Sequence, residues 1–302
     1  MDTRPGGLAE RAALTLERQE ALGPIEDALQ RAIGAAFRAG GAGGRAVQNF
    51  LHGTWLGHPL HTALTHVPLG AWTAALVFDT LDRDGGRWNR RADGAIAVGI
   101  GGAVGAALTG LTDWQRVDGA PRRSGLAHAA LNTVALGLYA GSLLLRRRGA
   151  REAGRTMAGV GFTALVAAAW LGGRLVYHHR IGVDHAQREG PETFTRTLRE
   201  ADLREDQPQR ADVGGVGIVL VRRQGRVYAL GERCAHLGGP LSEGEIKDDG
   251  IVCPWHGSRF ALDDGRVLDG PATLPQPCFE TRVHEGYVEV RRLVDESTRA
   301  AA

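Results

Sequence analysis

Four long stretches of this chain are almost free of charge: Pro59–Phe78, Gly94–Thr112, Gly125–Leu145 and Met157–Gly173. Each runs 17–21 residues, enough for a helix to cross the hydrocarbon core of a bilayer. A soluble bundle would show a charged face on every helix. The second stretch, GAIAVGIGGAVGAALTGLT, has none. Its Gly101 and Gly105 form a small-xxx-small pair of the kind that lets membrane helices approach closely. The stretches are rich in Ala and Gly, so each is a weak span alone, and it is their succession that predicts an all-α four-helix transmembrane bundle over 58–180. Short Arg-rich connections separate them: Asp82–Asp93, Gln115–Ser124 and Arg146–Thr156.

The flanks differ in kind. Residues 1–57 are a polar lead-in with helical spacing of Leu14, Leu22, Ile25, Leu29 and Ile33. Pro24 divides this into two helices, and Gly40–Gly44 reads as a loop. No apolar segment of secretory type opens the chain. No sequence repeat is evident, although the membrane half could be a duplicated helical hairpin. Residues 181–192 read as a linker, 193–292 as an all-β domain and 293–302 as a disordered tail. Short β runs (Val216–Val221, Val227–Leu230, Ile251–Cys253, Ser258–Leu262, Phe279–Val283, Tyr287–Val290) alternate with turns such as Gln224-Gly225 and Glu285-Gly286. With 36 Lys and Arg against 34 Asp and Glu, the net charge of +2 excludes bulk-charge binding of nucleic acid. Three cysteines exclude a disulfide-rich scaffold.

Two of those cysteines carry the strongest chemical signal. Cys234-Ala-His236 is followed, sixteen residues on, by Cys253-Pro-Trp-His256. On ligand count alone, two Cys and two His suit either a structural zinc or a [2Fe–2S] cluster with a cysteine pair on one iron and a histidine pair on the other. The neighbours favour the second. Gly238, Gly239 and Gly257 let backbone N–H groups come close to a cluster, Pro254 stiffens the second loop, and Gly270-Pro271 offers a third covering loop. In motif, spacing and the Gly-Pro loop that follows, Thr193–Arg292 resembles the Rieske family.

That resemblance implies that Cys234 and Cys253 hold a buried iron and that His236 and His256 hold an outer iron at the domain tip. It also implies electron transfer. Two departures from the family's high-potential branch stand out. Gly239 and Trp255 occupy the positions of its disulfide, and Phe260 replaces a Tyr hydroxyl, while Ser258 is retained. Fewer hydrogen bonds to sulfur lower the potential, which places it nearer dioxygenase ferredoxins than bc-complex proteins. Cys278 reads as a small apolar residue in a β segment. Only 46 residues follow His256, with one histidine, His284. That is too little for the mononuclear iron domain of a complete oxygenase.

The stretch Leu51–Asp79, LHGTWLGHPLHTALTHVPLGAWTAALVFD, resembles an uncharacterised bacterial family of four-helix membrane proteins, with Thr109–Asp113, His128 and Gly173–Tyr177 at similar places. The resemblance implies architecture and no chemistry. With four spans, His58, His61, His66, Asp113, His128, His178 and His179 fall at or near one membrane face, as would the β domain. Ionisable residues there are functional candidates. Three readings stay open: interfacial histidines, a quinone site, or a b-type haem held by two of His61, His66 and His128. The side of that face also stays open. Arginines number 9 in the two connections opposite and 6 near it, which places the β domain outside; the weak twin-arginine match at Arg146–Arg148 agrees. Against that, a charged lead-in would cross without a signal, and a missing disulfide suits a reducing compartment. The expected whole is a multi-pass cell-membrane protein carrying single electrons between a membrane donor or quinone pool and an acceptor. The rivals are a subunit of a quinol-oxidising or reductase complex and a redox sensor. Its partners are a redox protein or quinone and the lipid bilayer, with no nucleic acid and an oligomeric state that the sequence leaves unknown.

Overall fold

The computed structural model describes residues 7–82 and 86–293. Arg83 of the first Arg-rich connection and the tail beyond Leu293 lie outside the described residues. The chain divides into two units, 1–51 with 59–181, and 52–58 with 182–302.

The first unit is helical. The polar lead-in forms α1 (Leu8–Glu17), α2 (Gly23–Ala39) and α3 (Gly41–His52). Pro24 sits in the first turn of α2, where its missing N–H costs nothing. The glycine run at 40–44 is not the expected loop, because α3 begins inside it. A side chain at Gly44 would lie 2.0 Å from the Phe37 carbonyl oxygen, so the glycines allow a tight corner between α2 and α3.

The apolar stretches become α4 (Leu60–Leu81), α5 (Asn89–Trp114), α6 (Gly119–Arg147) and α7 (Arg151–Tyr177). The described residues thus hold seven α-helices, three in the lead-in where two were expected and four from the apolar stretches. Three of them, α5, α6 and α7, are long and apolar enough to cross a membrane. The 22-residue α4 is long enough, but its two histidines, Pro68 and Asp79 dilute its hydropathy. All four expected stretches are helical, and by length and apolarity together three of them qualify as membrane-crossing.

These four helices form two hairpins, α4 with α5 and α6 with α7, and the hairpins repeat. His128, Tyr139 and Arg146 stand 67 residues after His61, Trp72 and Asp79. Gly161, Ala168 and Gly172 stand 62 residues after Gly99, Ala106 and Gly110. The contacts repeat as well. A Cβ added at Gly99 would strike Trp72, and one added at Gly161 would crowd Tyr139. Equivalent residues meet across the pseudo-twofold axis. Trp72 and Tyr139 stack with ring centres 4.0 Å apart and planes 13° apart. Arg146, its side chain fully buried, grips Asp79 with both arms of its guanidinium. Such a buried pair fixes register more than it adds stability. The close approach of α5 to α4 uses Gly99, Gly102 and Gly110. Gly105 touches only Leu64, and Gly101 meets no neighbour within 4 Å. The expected Gly101–Gly105 seam is therefore displaced to the neighbouring helical phase.

The lead-in helices close one end of this bundle. Buried Glu17 of α1 accepts hydrogen bonds from Ser124, Arg174 and His179, each at 2.9 Å. Gln30 donates to the Trp114 and Val117 carbonyls.

The second unit is all-β. One sheet has six antiparallel strands in the order β1 (Thr195–Arg199), β10 (Tyr287–Arg292), β9 (Cys278–His284), β4 (Arg226–Gly231), β3 (Val216–Arg223) and β2 (Gln209–Val213). A smaller sheet runs β5 (Glu245–Lys247), β6 (Gly250–Val252), β7 (Arg259–Ala261) and β8 (Val267–Asp269). Val219, Val221, Leu230, Leu241, Ile251 and Phe260 form a core that also includes both Cys234 and Cys253. The segment expected as a linker is tied to this unit: His185 N–H donates to the Ala235 carbonyl at 3.0 Å, and Arg292 N–H to the Pro191 carbonyl at 2.7 Å.

Candidate metal centre

Two loops with the same backbone design carry the Cys–His pairs. In the first, between β4 and β5, Gly238 N–H donates to the Cys234 carbonyl at 2.8 Å and Cys234 N–H to the Gly239 carbonyl at 2.9 Å. In the second, the β6–β7 connection, Gly257 N–H donates to the Cys253 carbonyl at 3.0 Å and Cys253 N–H to the Ser258 carbonyl at 2.8 Å. Each loop closes on a glycine in the left-handed region, Gly238 at φ +79° and Gly257 at φ +77°, where a Cβ would be strained. The identical closure presents Cys and His from each loop in the same way.

The four side chains sort by burial. Cys234 and Cys253 are 1% and 2% exposed, with their sulfurs within hydrogen-bonding reach. His236 and His256 are half-buried, with ring centres 4.9 Å apart. Backbone N–H groups of His236 and Leu237 point at the Cys234 sulfur, and those of Trp255 and His256 at the Cys253 sulfur. The hydrogen bond from Cys234 brings the Cys253 thiol down to about 7. The same bond, together with burial, pushes Cys234 well up. One proton leaves this pair easily, and the second leaves when a cation takes its place.

The donors arrive as a thiol pair and an imidazole pair. Among the described residues no three His, Cys, Asp or Glu are grouped so as to hold one metal ion, the convergence a mononuclear zinc needs. A centre with two metals, one per pair, fits. So does the cradle: a Cβ at Gly239 would lie 2.9 Å from the Cys253 sulfur and 3.0 Å from the Trp255 ring. Gly239 and Trp255, expected where a disulfide would clamp the loops, do stand side by side, in contact without a covalent bond.

The remaining expected residues flank the loops. Pro254 and Gly257 are exposed. Buried Ser258 accepts a hydrogen bond from Ala272 N–H at 3.0 Å, tying the second loop to the segment after Gly270-Pro271. Phe260 is fully buried in the core. Cys278 packs at the edge of the same core, its thiol pushed up to about 12 by burial and by Asp264 and Asp263.

Two supports were not foreseen from the sequence. Gln276, 2% exposed, donates to the Gly231 and Arg233 carbonyls, both at 2.7 Å, and accepts from Ala235 N–H at 3.0 Å. It therefore fixes the peptide between Cys234 and His236. Its signal was a lone amide between two prolines, Pro275 and Pro277. The second support is residues 52–58, which group with the β unit. The His52 ring lies against Gly270, where a Cβ would come within 2.9 Å of it. His58 belongs to this segment and not to the helical unit.

The other histidines separate into distinct settings. The rings of His61 and His128 lie edge to face with centres 6.2 Å apart. His66 is exposed and contacts its own turn through the Ala63 carbonyl. His178 and His179 pack edge to face, and His179 bonds Glu17. Asp113 lies in the last turn of α5.

A β unit with two cysteine–histidine loops, buried thiols and half-buried imidazoles presents the donor set of an iron–sulfur protein of the two-Cys, two-His kind. The Rieske [2Fe-2S] domain family matches residues 193–280. The 3-phenylpropionate/cinnamic acid dioxygenase ferredoxin subunit of Escherichia coli K12 is 38% identical over 89 residues, covering 29% of this chain and 83% of its own length. The chain belongs to the Rieske [2Fe–2S] family, and its domain implies a [2Fe–2S] cluster. Residues 57–185 match the predicted membrane protein family DUF2231. Human apoptosis-inducing factor 3 is 32% identical over 90 residues, 30% of this chain, and the chain spans only 15% of that relative's length. Among solved structures, the ferredoxin of carbazole 1,9a-dioxygenase from Nocardioides aromaticivorans is 27% identical, with a TM-score of 0.32, over 33% of this chain and 99% of its own.

Proposed function

We propose that this chain is a membrane-tethered carrier of single electrons, with Cys234 and Cys253 on an inner iron and His236 and His256 on an outer one. The observation that carries this reading is the sorting of the four donors, thiols fully buried and imidazoles only half-buried. The cluster, when bound, accepts and gives up one electron at a time. The chain's own residues do the rest. The backbone N–H groups of both loops stabilise the sulfur charge, and Ser258 and Gln276 hold the loops against movement. His236 and His256 form the surface through which a partner is reached. Trp255, 56% exposed beside His256, supplies an aromatic contact of the kind enriched at interfaces.

The ferredoxin relative points to an acceptor of the oxygenase class, supplied by a reductase or by a membrane donor. Helices α5–α7, and α4 packed with them, hold the carrier at the bilayer. An anaerobic redox titration of the detergent-purified chain tests this. A reversible one-electron step in the lower part of the range of about −150 to +300 mV is expected, with oxidation by an oxygenase component on mixing. A cluster that cannot be reduced without unfolding would exclude the carrier.

A further inference from the structure

Three pairs of equivalent residues meet across the pseudo-twofold axis of the helical unit. Two of the pairs are a ring stack, Trp72–Tyr139, and an ion pair, Asp79–Arg146. In the third, His61 and His128 stand with ring centres 6.2 Å apart and planes 88° apart. A metal ion about 2 Å from one nitrogen of each of two imidazoles sets their ring centres about 6 Å apart.

The rings are also prepared as ligands. Nδ1 of His61 meets the Ala106 carbonyl at 2.8 Å, and Nδ1 of His128 meets the Ala168 carbonyl at 2.8 Å. A carbonyl only accepts, so each Nδ1 carries the proton and each Nε2 keeps its lone pair. Metal-bound histidines are oriented in this way by a second partner. Gly110 and Gly172 make room, since a Cβ would come within 2.8 Å of the His61 ring and 3.1 Å of the His128 ring. Asn132 donates to His128 Nε2 at 3.1 Å and to the His128 carbonyl at 2.9 Å. It can yield the first bond and keep the second.

The donor number selects the group. No third His, Cys, Asp or Glu joins this pair among the described residues. A bare zinc takes three or four protein ligands, whereas haem iron, already held in its porphyrin plane, needs only axial ones. We propose that His61 and His128 are the two axial ligands of a b-type haem held between the helical hairpins. The inference rests on the helical unit alone and not on the cluster.

The test is the full-length chain, purified in detergent from cells supplied with a haem precursor and titrated with haemin. A Soret band of low-spin, bis-imidazole type is expected at one haem per chain. His61→Leu and His128→Leu should each lower haem affinity by at least about tenfold, while exposed His66→Ala keeps it. Because an altered helix could misfold, His128→Met serves as the rescue: a thioether restores ligation and raises the haem potential. Cys253→Ser should lose the cluster and keep the Soret band, which separates this inference from the carrier reading. A chain with a full cluster and no haem after haemin titration overturns it. So does haem bound equally by the His61→Leu, His128→Leu double variant, or a non-haem ion found on the pair.

Discussion

Gln276→Leu removes one side chain of nearly unchanged volume and three buried hydrogen bonds. The bonds at 2.7, 2.7 and 3.0 Å join Gly231, Arg233 and Ala235, and no water reaches a residue 2% exposed. Each bond contributes about 1 kcal/mol net, and the stranded Ala235 N–H alone costs about 1–3 kcal/mol. The expected loss is about 3 kcal/mol or more. For a domain of this size that lowers the unfolding midpoint by at least about 12 °C, read as bleaching of the cluster's visible absorbance on heating. The Ala235 peptide joins Cys234 to His236, so the electron paramagnetic resonance spectrum of the reduced protein should change as well. Val288→Ala, in the separate core on the other side of the six-stranded sheet, should lower the midpoint and leave that spectrum alone. Gln276→Glu would set a carboxylate against two carbonyls and should be worse than Leu at neutral pH, recovering as the pH falls and the acid becomes a donor. A Gln276→Leu protein that bleaches within about 2 °C of the parent, with an unchanged spectrum, would refute the role given to this residue.

Further outcomes follow from other contacts. Gly239→Ala places a methyl 2.9 Å from the Cys253 sulfur; overpacking costs about 1–3 kcal/mol, so iron content after purification should fall. Adding Trp255→Ala should not restore it, because the sulfur contact persists. Cys253→Ser should abolish the cluster spectrum, since a thiolate ligand is required; its survival would break the ligand assignment. Glu17 is pushed up by burial, but its hydrogen bonds from Arg174, His179 and Ser124 outweigh that and leave its pKa below the ordinary 4.5. Its contribution is therefore complete above that ordinary value and disappears as pH falls through the lower folded one. Hydrogen exchange of α1 should accelerate in that acid window and, in Glu17→Gln, already at neutral pH; equal protection in both proteins would count against the link.

The sequence carried more of the β unit than of the helical one. All six expected strands are present, because apolar runs between Gly-containing turns leave few alternatives. The four strands outside those six, β1, β2, β5 and β8, are short or polar: β2 offers only Ala211 and Val213 to the core. The cysteine–histidine loops were legible because metal ligation fixes residue type and spacing together. Gln276 was not, since its partners are backbone groups that leave no trace in composition. The hairpin repeat was also hidden. It survives in contacts rather than identities, with Tyr139 standing for Trp72 and Arg146 for Asp79. The glycine run at 40–44 misled for a related reason: glycine marks a loop and a tight helix corner alike, and only the packing distinguishes them.

Electron transfer by this chain requires a [2Fe–2S] cluster on two thiolates and two imidazoles. The most direct test of that cluster is iron and acid-labile sulfide analysis of the purified chain, with electron paramagnetic resonance of the reduced form in natural and nitrogen-15 histidine-labelled protein. Iron and sulfide are expected in equal amounts, two of each per chain, with hyperfine coupling to histidine nitrogen that is lost when His236 and His256 are replaced. A single zinc without sulfide, or an iron–sulfur signal with no histidine coupling, would contradict it.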